Sequence, residues 1–288
     1  MKLEVYLRRQ AGVISHEQAL AAGLSRSAIK RRVSTGRWAR LHPRVYHATD
    51  HPHTDEVRLR AAVLWAGVGA VAHGVSAAWW HELWPRLPRP AELTVPRVRG
   101  PGRRPGIIVR HRDVDELDLT TYRDLSVTGV ALTAIEAAVA LGPQGSVLLD
   151  RALQQRVNFG WVWAAHCRNL GRRGSAAASA LLTAAADRAA SHAERLLVRL
   201  LHDAGISGWE LGYAWHGYQI DVAFPAQRIA IEVDGWAWHM TPERFVRDRQ
   251  RQNAVVNGGW TVLRFSWHDL TARPDAVIAE IHTELSRA

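Results

Sequence analysis

Residues 218–239, YQIDVAFPAQRIAIEVDGWAWH, contain two strand-like runs separated by a Pro turn at residues 225–227. Every second residue of the later run is apolar: Ile229, Ile231 and Val233. Side chains alternate between the two faces of a strand, so Glu232 and Asp234 share the opposite face. Two acids on one face of an otherwise apolar strand predict a chemical role for this part of the chain.

The strand before the turn brings in a third carboxylate. Folded back across the turn, it places Asp221 opposite Ile231 or Glu232. Clustered carboxylates repel one another and lose hydration, so a cation is needed to neutralise them, and oxygen ligands suit Mg²⁺ or Mn²⁺. Such a metal can activate water and polarise a phosphodiester. The pattern predicts hydrolysis of a nucleic-acid backbone; the alternative is that Asp221 and Glu232 form ion pairs with Arg247, Arg249 or Arg251.

The flanking sequence predicts an αβββαβα order for residues 190–288. Ser191 and Glu194 have capping-box spacing, which predicts the start of a helix that ends at Gly205. Thr241 and Pro242 predict the start of a second helix, which stops near residues 257–259. Strands are predicted at residues 213–215, 218–224, 228–234 and 260–267, and a closing helix at residues 274–285.

These motifs resemble the PD-(D/E)xK restriction-endonuclease-like superfamily, and more narrowly its very-short-patch-repair (Vsr-like) endonucleases. The resemblance is carried by Asp221, by IEVDGWAWH ending at His239, and by Arg247-Asp248, Arg251 and GWTVLRF further along. It implies that Asp221 is the central metal ligand and that the Val233 carbonyl or Glu232 is a second ligand. Glu194 would join through water or serve only as a helix cap. His239 would act as general acid or base near the scissile phosphate. Trp236 and Trp238 would stack on bases or close the core.

Asp234 departs from the family pattern, because it stands where the superfamily motif has a Lys. Arg247 or Arg251 could supply the missing positive charge near the phosphate. The departure keeps a second interpretation open, in which the nuclease fold is catalytically inactive and serves as a DNA-binding module.

The first 50 residues form a basic module, with ten Lys and Arg against three acidic residues. Short helices are predicted at residues 3–11, 15–22 and 25–33, followed by a β-hairpin over residues 38–46, which together indicate a winged helix-turn-helix. Four basic side chains are candidates for DNA contact: Arg26, Lys30, Arg31 and Arg40. The alternative is a solvated basic helix. The run GRWARLHPRVYHA after this helix resembles the winged-helix N-terminus of AbiEi-type antitoxins, which implies DNA binding.

Residues 51–189 are predicted to form a mixed, mainly helical middle domain that resembles the AbiEi type. A basic Gly/Pro loop at residues 96–106 is predicted either to lie along a phosphate backbone or to form a solvated hairpin tip. A low-complexity joint, GRRGSAAASALL, leads to the domain boundary near residue 190.

Composition limits the class of protein. The 288 residues carry a net charge of +10, which favours a polyanionic partner, and no run of about 18 apolar residues is apparent. The single cysteine excludes an internal disulfide. We therefore expect a cytoplasmic, multidomain α/β protein whose partner is DNA and not a membrane, with a homodimer as one assembly to test. Its predicted activity is that of a Mg²⁺- or Mn²⁺-dependent DNA endonuclease, in DNA repair, phage defence or mobile-element control; the alternative is an AbiEi-type transcriptional regulator or antitoxin.

Overall fold

A computed structural model describes the backbone of residues 1–98, 102–234 and 242–288, and the side chains of these residues except 234 and 242–248. The described chain is mixed α/β, with three separate sheets, as the sequence predicted. It divides into two compact units, Met1–Ala178 and Ser179–Ala288. The predicted further boundary at residue 50 stays a prediction.

The first unit begins with short helices and a small sheet. Helices α1 (Leu3–Arg9), α2 (His16–Ala21) and α3 (Arg26–Ser34) accompany strands β1 (Val13–Ser15), β2 (Trp38–His42) and β3 (Val45–Ala48), which form a sheet in the order β1-β3-β2. Ser15 caps α2 through a capping box with Gln18, and Ser25 caps α3 by accepting from the Ala28 N–H. Ile14, Ile29 and Trp38 form the buried centre. Local capping signals thus set the helix starts here.

The rest of the first unit surrounds a five-stranded sheet. It contains α4 (Asp55–Ala66), β4 (Val71–Ala72), α5 (Gly74–Trp80), β5 (Ala91–Val95), β6 (Ile107–His111), β7 (Leu119–Tyr122), β8 (Leu125–Thr128), α6 (Val130–Leu141), α7 (Gly145–Gln155) and α8 (Phe159–Arg168). The strand order is β6-β5-β4-β8-β7. Strands β4 and β7 were not predicted from the sequence, since β4 is two residues long and every residue of β7 is exposed.

One stretch of this unit, Val130–Gln155, is long and apolar enough to cross a membrane by length and composition alone. It holds scattered polar residues, so no unbroken apolar run marks it in the sequence. Half of its most apolar window is buried inside the fold. A core helix of a soluble protein passes the same test, so the stretch is weak evidence for a membrane span.

The second unit is a four-stranded sheet between helices. Helix α9 (Ser175–Asp203) leads into β9 (Glu210–Trp215), β10 (Tyr218–Phe224) and β11 (Ile229–Asp234), and these are followed by α10 (Pro242–Asn257), β12 (Thr261–Ser266), α11 (Trp267–Ala272) and α12 (Pro274–Arg287). The strand order is β12-β11-β10-β9. Only the β11–β12 pair is parallel, because α10 carries the chain back between them.

Each face of this sheet has its own apolar core. Ile229, Ile231 and Val233 lie in one cluster with residues of α9, α11 and α12. Ala230 lies in the other, with Val255 of α10 and Trp260. The predicted alternation along β11 is therefore observed for its apolar residues.

The predicted start of a helix at Ser191 is wrong. Helix α9 runs without interruption from Ser175 to Asp203, so Ser191 and Glu194 lie inside it and form no cap. The segment before Ser191 is rich in alanine, the best helix former, and it continues the helix through the capping-box pattern. The low-complexity joint contains the actual helix start, and the compact units divide between Ala178 and Ser179, while the domain boundary near residue 190 stays a prediction.

Candidate active site

A hydrogen bond joins the side chain of Asp221 on β10 to the backbone of β11. The ladder between β10 and β11 pairs Val222 with Ile231, so Asp221 and Glu232 are the next residues beyond it, as the sequence predicted. The carboxylate Oδ2 of Asp221 accepts a 2.8 Å hydrogen bond from the backbone N–H of Val233. This bond fixes the half-buried carboxylate against the residue whose carbonyl was predicted to be a metal ligand.

The backbone of β9 is distorted opposite Asp221. Gly212 stands between the residues that pair with Ile220 and Val222, and its φ is +63°, in the left-handed region that favours glycine. Ile220 and Val222 belong to the cores of opposite sheet faces, although they are two residues apart. Asp221 therefore lies at a break in the regular alternation of β10, which explains why simple periodicity does not assign its face.

Glu194 of α9 lies close enough to Asp221 for the two charges to interact. Partial burial raises the pKa of the Glu194 carboxyl above its usual value, and the negative charge of Asp221 raises this pKa further, while Arg195 opposes the change. A cation placed between two carboxylates that repel each other in this way would reduce their electrostatic repulsion. Glu194 thus lies beside Asp221 in the interior of α9 and is not a helix cap.

Glu232 forms an ion pair across the other face of the strand. Its buried carboxylate accepts a 2.6 Å hydrogen bond from Nη2 of Arg251 on α10, while Nη1 of Arg251 donates to the Gln219 carbonyl. Arg264 is the partner of Glu232 in the β11–β12 ladder, so a second cation lies next to it. The ion-pair alternative considered from the sequence is therefore observed for Glu232 with Arg251.

A helix cap missed by the sequence analysis holds the end of β12. Ser266 is the ladder partner of Asp234, and it caps α11 through a capping box with Asp269. Hydrogen bonds from Ser266 and Arg273 lower the pKa of Asp269 to about 2. The Ser-x-x-Asp spacing is readable in the sequence, but the predicted strand extended through Trp267 and hid it.

Several predicted site residues lie outside the described part of the chain. These are His239, Trp236 and Trp238, together with the side chains of Asp234 and Arg247. Within the described residues, no group of three or more His, Cys, Asp or Glu side chains could hold a metal ion. Asp221 and Glu194 are two described carboxylates whose charges interact.

The four predicted DNA-contact residues are all exposed in the first unit. Arg26, Lys30 and Arg31 lie on α3, and Arg40 lies on β2. The neighbouring Arg32 is turned inward, with its guanidinium 5.6 Å from the centre of the Trp38 ring. In the basic loop Arg104 donates to Nδ1 of His42 at 3.1 Å, which ties that loop to β2. Arg104 therefore lies against β2, the strand that also carries Arg40.

Comparison with known proteins matches both ends of the chain. Residues 2–46 match the model of an AbiEi-type domain described as "Transcriptional regulator, AbiEi antitoxin". Residues 194–285 match the restriction-endonuclease-type model REase_MTES_1575. A Mycobacterium tuberculosis protein, uncharacterized protein Rv2248 of strain ATCC 25618 / H37Rv, is 32% identical over 190 residues, which cover 64% of this chain and 69% of that protein. Uncharacterized protein MT2308 of strain CDC 1551 / Oshkosh matches with the same values.

Proposed function

Because the chain belongs to the family of the mycobacterial protein Rv2248 and joins an AbiEi-type domain to a restriction-endonuclease-like domain, we propose that it is a metal-dependent DNA endonuclease directed to DNA by its N-terminal domain. The observation that carries this proposal is the Asp221 carboxylate in the middle of β10, which the Val233 N–H holds in place and which lies close enough to Glu194 to raise the pKa of Glu194. The reaction is hydrolysis of a phosphodiester bond.

The proposal assigns a fold to each domain. In the N-terminal domain α2 and α3 form a helix-turn-helix, and the hairpin β2–β3 is its wing. The C-terminal domain is a Vsr-like member of the PD-(D/E)xK superfamily. Its support is the order of α9, three antiparallel strands, α10 and the parallel strand β12, followed by α11 and α12.

In this proposal Asp221 would be the main ligand of the cation and Glu194 a supporting one. When bound, Mg²⁺ or Mn²⁺ supplies an acidified water and stabilises charge on the phosphate. The hydrogen bond from the Val233 N–H keeps the Asp221 carboxylate in one orientation, and the Val233 carbonyl is proposed as a further ligand. His239 transfers a proton to or from the reacting oxygen, since an imidazole titrates near neutral pH.

Glu232 takes a different role from the one the sequence favoured. Its carboxylate is bound to Arg251, so we assign Glu232 the role of positioning that guanidinium. Metal ligation by Glu232 stays a prediction. Asp234 cannot supply positive charge in place of the motif Lys, and the supply of that charge by Arg247 or Arg251 stays a prediction. Arginine binds phosphate well but is a poor proton donor, because its pKa exceeds about 12.

A second function is favoured by two observations. Asp234 replaces the motif Lys, and Glu232 is ion-paired with Arg251. Both fit an AbiEi-type transcriptional regulator or antitoxin whose nuclease fold is inactive and only binds DNA. A regulator keeps sequence-specific DNA binding after Asp221 is neutralised, whereas a nuclease loses cleavage.

The test is cleavage of supercoiled plasmid and of mismatch-bearing duplexes with Mg²⁺, with Mn²⁺ and with EDTA. The proteins compared are the native chain, Asp221→Asn, Glu194→Gln and the control Glu210→Gln, which changes an exposed carboxylate on β9. Metal-dependent cutting that Asp221→Asn abolishes and Glu210→Gln retains is the expected result. DNA binding without cutting by any of the proteins would replace the nuclease with the regulator. Within this proposal the protein is cytoplasmic and acts in DNA repair or phage defence.

A further inference from the structure

A cavity of about 250 Å³ lies within the first unit, between α6, α8, strand β6 and the beginning of α9. We call it the Arg172 cavity. Its polar lining includes Arg110, Arg112, Asn169, Arg172 and Arg173, and its apolar lining includes Leu132, Ile135, Val139 and Ala140. None of the functions considered above uses this cavity.

Asn169 presents a buried acceptor at the cavity. Its Nδ2 donates to the Asp118 carboxylate at 2.9 Å and to the Ala165 carbonyl at 2.8 Å. Both partners only accept hydrogen bonds, so the orientation of the amide is determined. The residue is only 8% exposed, and its other amide atom, Oδ1, is buried and has no hydrogen-bond partner among the described residues. A buried acceptor without a partner costs about 1–3 kcal/mol, so this atom calls for a donor from a ligand or water.

Arg172 presents a buried donor at the same cavity. Its Nη1 is buried and likewise lacks a hydrogen-bond partner in the described part of the chain. A guanidinium is always charged and pairs with phosphate or carboxylate in a bidentate manner. Asn169 and Arg172 therefore offer one acceptor and one cationic donor to the same space.

The charge around the cavity is positive. The one acidic side chain of the lining, Glu136, is already paired with Arg112 and lies 3.5 Å from Nδ1 of His73. These partners offset the effect of burial and lower the pKa of Glu136 to about 2, so it stays charged and neutralised by Arg112. Arg110, Arg172 and Arg173 add three further positive charges to the lining. The site thus attracts an anion.

The beginning of α9 also lies at this cavity, although the N–H groups of Ser175 and Ala178 already donate to the Arg172 and Gly174 carbonyls. Gly174 and Ser175 line the cavity, and the helix that begins at Ser175 is 29 residues long. The first N–H groups of a helix have no partner within the helix, and together with the helix dipole they favour a phosphate. The helix start supports the site but does not define it, since the buried Asn169 and Arg172 atoms point to a ligand independently.

We propose that the Arg172 cavity binds a small phosphate monoester, with its phosphate between Arg172, Arg173 and the start of α9 and its body on the apolar floor formed by Leu132, Ile135, Val139 and Ala140. A donor on the body of the ligand, such as an N–H or hydroxyl group, satisfies Oδ1 of Asn169. The volume of about 250 Å³ lies just below the roughly 300 to 1,000 Å³ of drug-sized pockets, so a nucleoside monophosphate is near the upper limit of ligand size. This inference does not depend on the proposed nuclease activity.

The test uses the full chain, with AMP as the probe, measured by calorimetry and by the thermal unfolding midpoint. The comparison ligands are adenosine, inorganic phosphate and a short 5′-phosphorylated oligonucleotide, which separates a free phosphate ester from a nucleic-acid end. The variants are Arg172→Gln and Arg110→Gln, with Arg151→Gln as a matched control because it removes an exposed arginine of α7 outside the lining. Arg110 is itself exposed, so its replacement keeps the test valid if Arg172→Gln fails to fold.

The expected result is binding of AMP that adenosine does not reproduce. Arg172→Gln weakens AMP at least about tenfold, Arg110→Gln weakens it about threefold, and Arg151→Gln leaves it unchanged. Each of these results would overturn the inference: no binding of AMP or phosphate at concentrations of about 5 mM, equal binding of AMP and adenosine, or equal losses in Arg110→Gln and Arg151→Gln. Binding of the oligonucleotide alone also overturns it, since the site would then serve nucleic-acid ends.

Discussion

Nη2 of Arg251 lies 2.6 Å from Oε2 of Glu232, and the Glu232 side chain is only 6% exposed. Removal of Arg251 leaves the buried Glu232 carboxylate without its hydrogen-bonded cation, while Arg264 still lies beside it in the ladder. We expect Arg251→Gln to lower the free energy of unfolding by about 2 kcal/mol, because a hydrogen bond to a buried charged group is lost. Urea denaturation of the full chain measures this loss, and Arg199→Gln, an exposed arginine on α9, serves as control.

The double variant Glu232→Gln, Arg251→Gln should recover most of that loss, since neither partner is then left charged. A double-mutant cycle separates the pair from the surrounding packing. Equal losses in Arg251→Gln and in the double variant would show that Arg251 stabilises the unit by another contact, such as the Gln219 carbonyl.

Glu194 makes the stability of the second unit depend on pH. Its pKa is raised by burial and by the charge of Asp221, so the folded state binds the proton more tightly than the unfolded state. The cost of ionising Glu194 is absent below the ordinary carboxyl pKa and fully present above the raised one. Glu194→Gln should therefore stabilise the protein at pH 7 by less than about 1 kcal/mol, with the difference vanishing near pH 4.

Thermal unfolding of the two proteins from pH 4 to pH 7, without divalent ions, measures this difference. Added Mg²⁺ should then stabilise the native chain more than Glu194→Gln, because the ion offsets the repulsion between Glu194 and Asp221. A pH-independent difference between the two proteins would mean that Glu194 acts through packing and not through its charge.

The strand pair around the turn at residues 225–227 could be predicted because its signals are local. Period-two alternation placed Ile229, Ile231 and Val233 in one core, and the turn put Asp221 next to Glu232 within one residue. The choice among Arg247, Arg249 and Arg251 as partner of Glu232 could not be made. It depends on how α10 is rotated over the sheet, which local sequence does not determine.

The start of α9 could not be read from its capping pattern. Ser191 and Glu194 have the spacing of a capping box, but the alanine-rich residues before them have a stronger helix propensity and continue the helix. As a result Glu194 lies in the middle of a helix, where it faces Asp221 instead of a backbone N–H. The surroundings of Glu194 are thus determined by tertiary packing against Asp221, which only the folded structure reveals.

Asp269 ties the end of β12 to α11. It accepts from the N–H and hydroxyl of Ser266 and from Arg273, and its pKa falls from 3.8 to about 2. A lowered carboxyl pKa contributes stability that is present above the unfolded value and is lost as the pH falls through the folded value. Asp269→Ala should lower stability by about 1 kcal/mol at pH 7, a typical cost of a lost helix cap.

The difference between Asp269→Ala and the native chain should shrink between pH 4 and pH 2, as the native carboxylate becomes protonated. Urea unfolding at a series of pH values measures it. The control is Asp275→Ala, an exposed acid in the first turn of α12. A loss that persists unchanged at pH 2 would contradict the assigned charge and leave only a neutral cap.

The exposed basic side chains of α3 provide the last prediction. If α3 lies on DNA, each Lys or Arg that contacts a phosphate releases a counterion, and the logarithm of the binding constant falls with the logarithm of salt by about 0.9 per contact. Lys30→Gln and Arg31→Gln should each weaken binding to all DNA sequences and reduce this slope by about one. A residue that reads a base edge, such as Arg26, should instead relax sequence preference when changed to Gln, at a cost of about 1–3 kcal/mol. Fluorescence anisotropy at several salt concentrations measures both the binding constant and its salt dependence, and Arg151→Gln controls for net charge. Equal slopes in all variants would show that α3 does not contact DNA. Arg104 and its loop would then be the next surface to test.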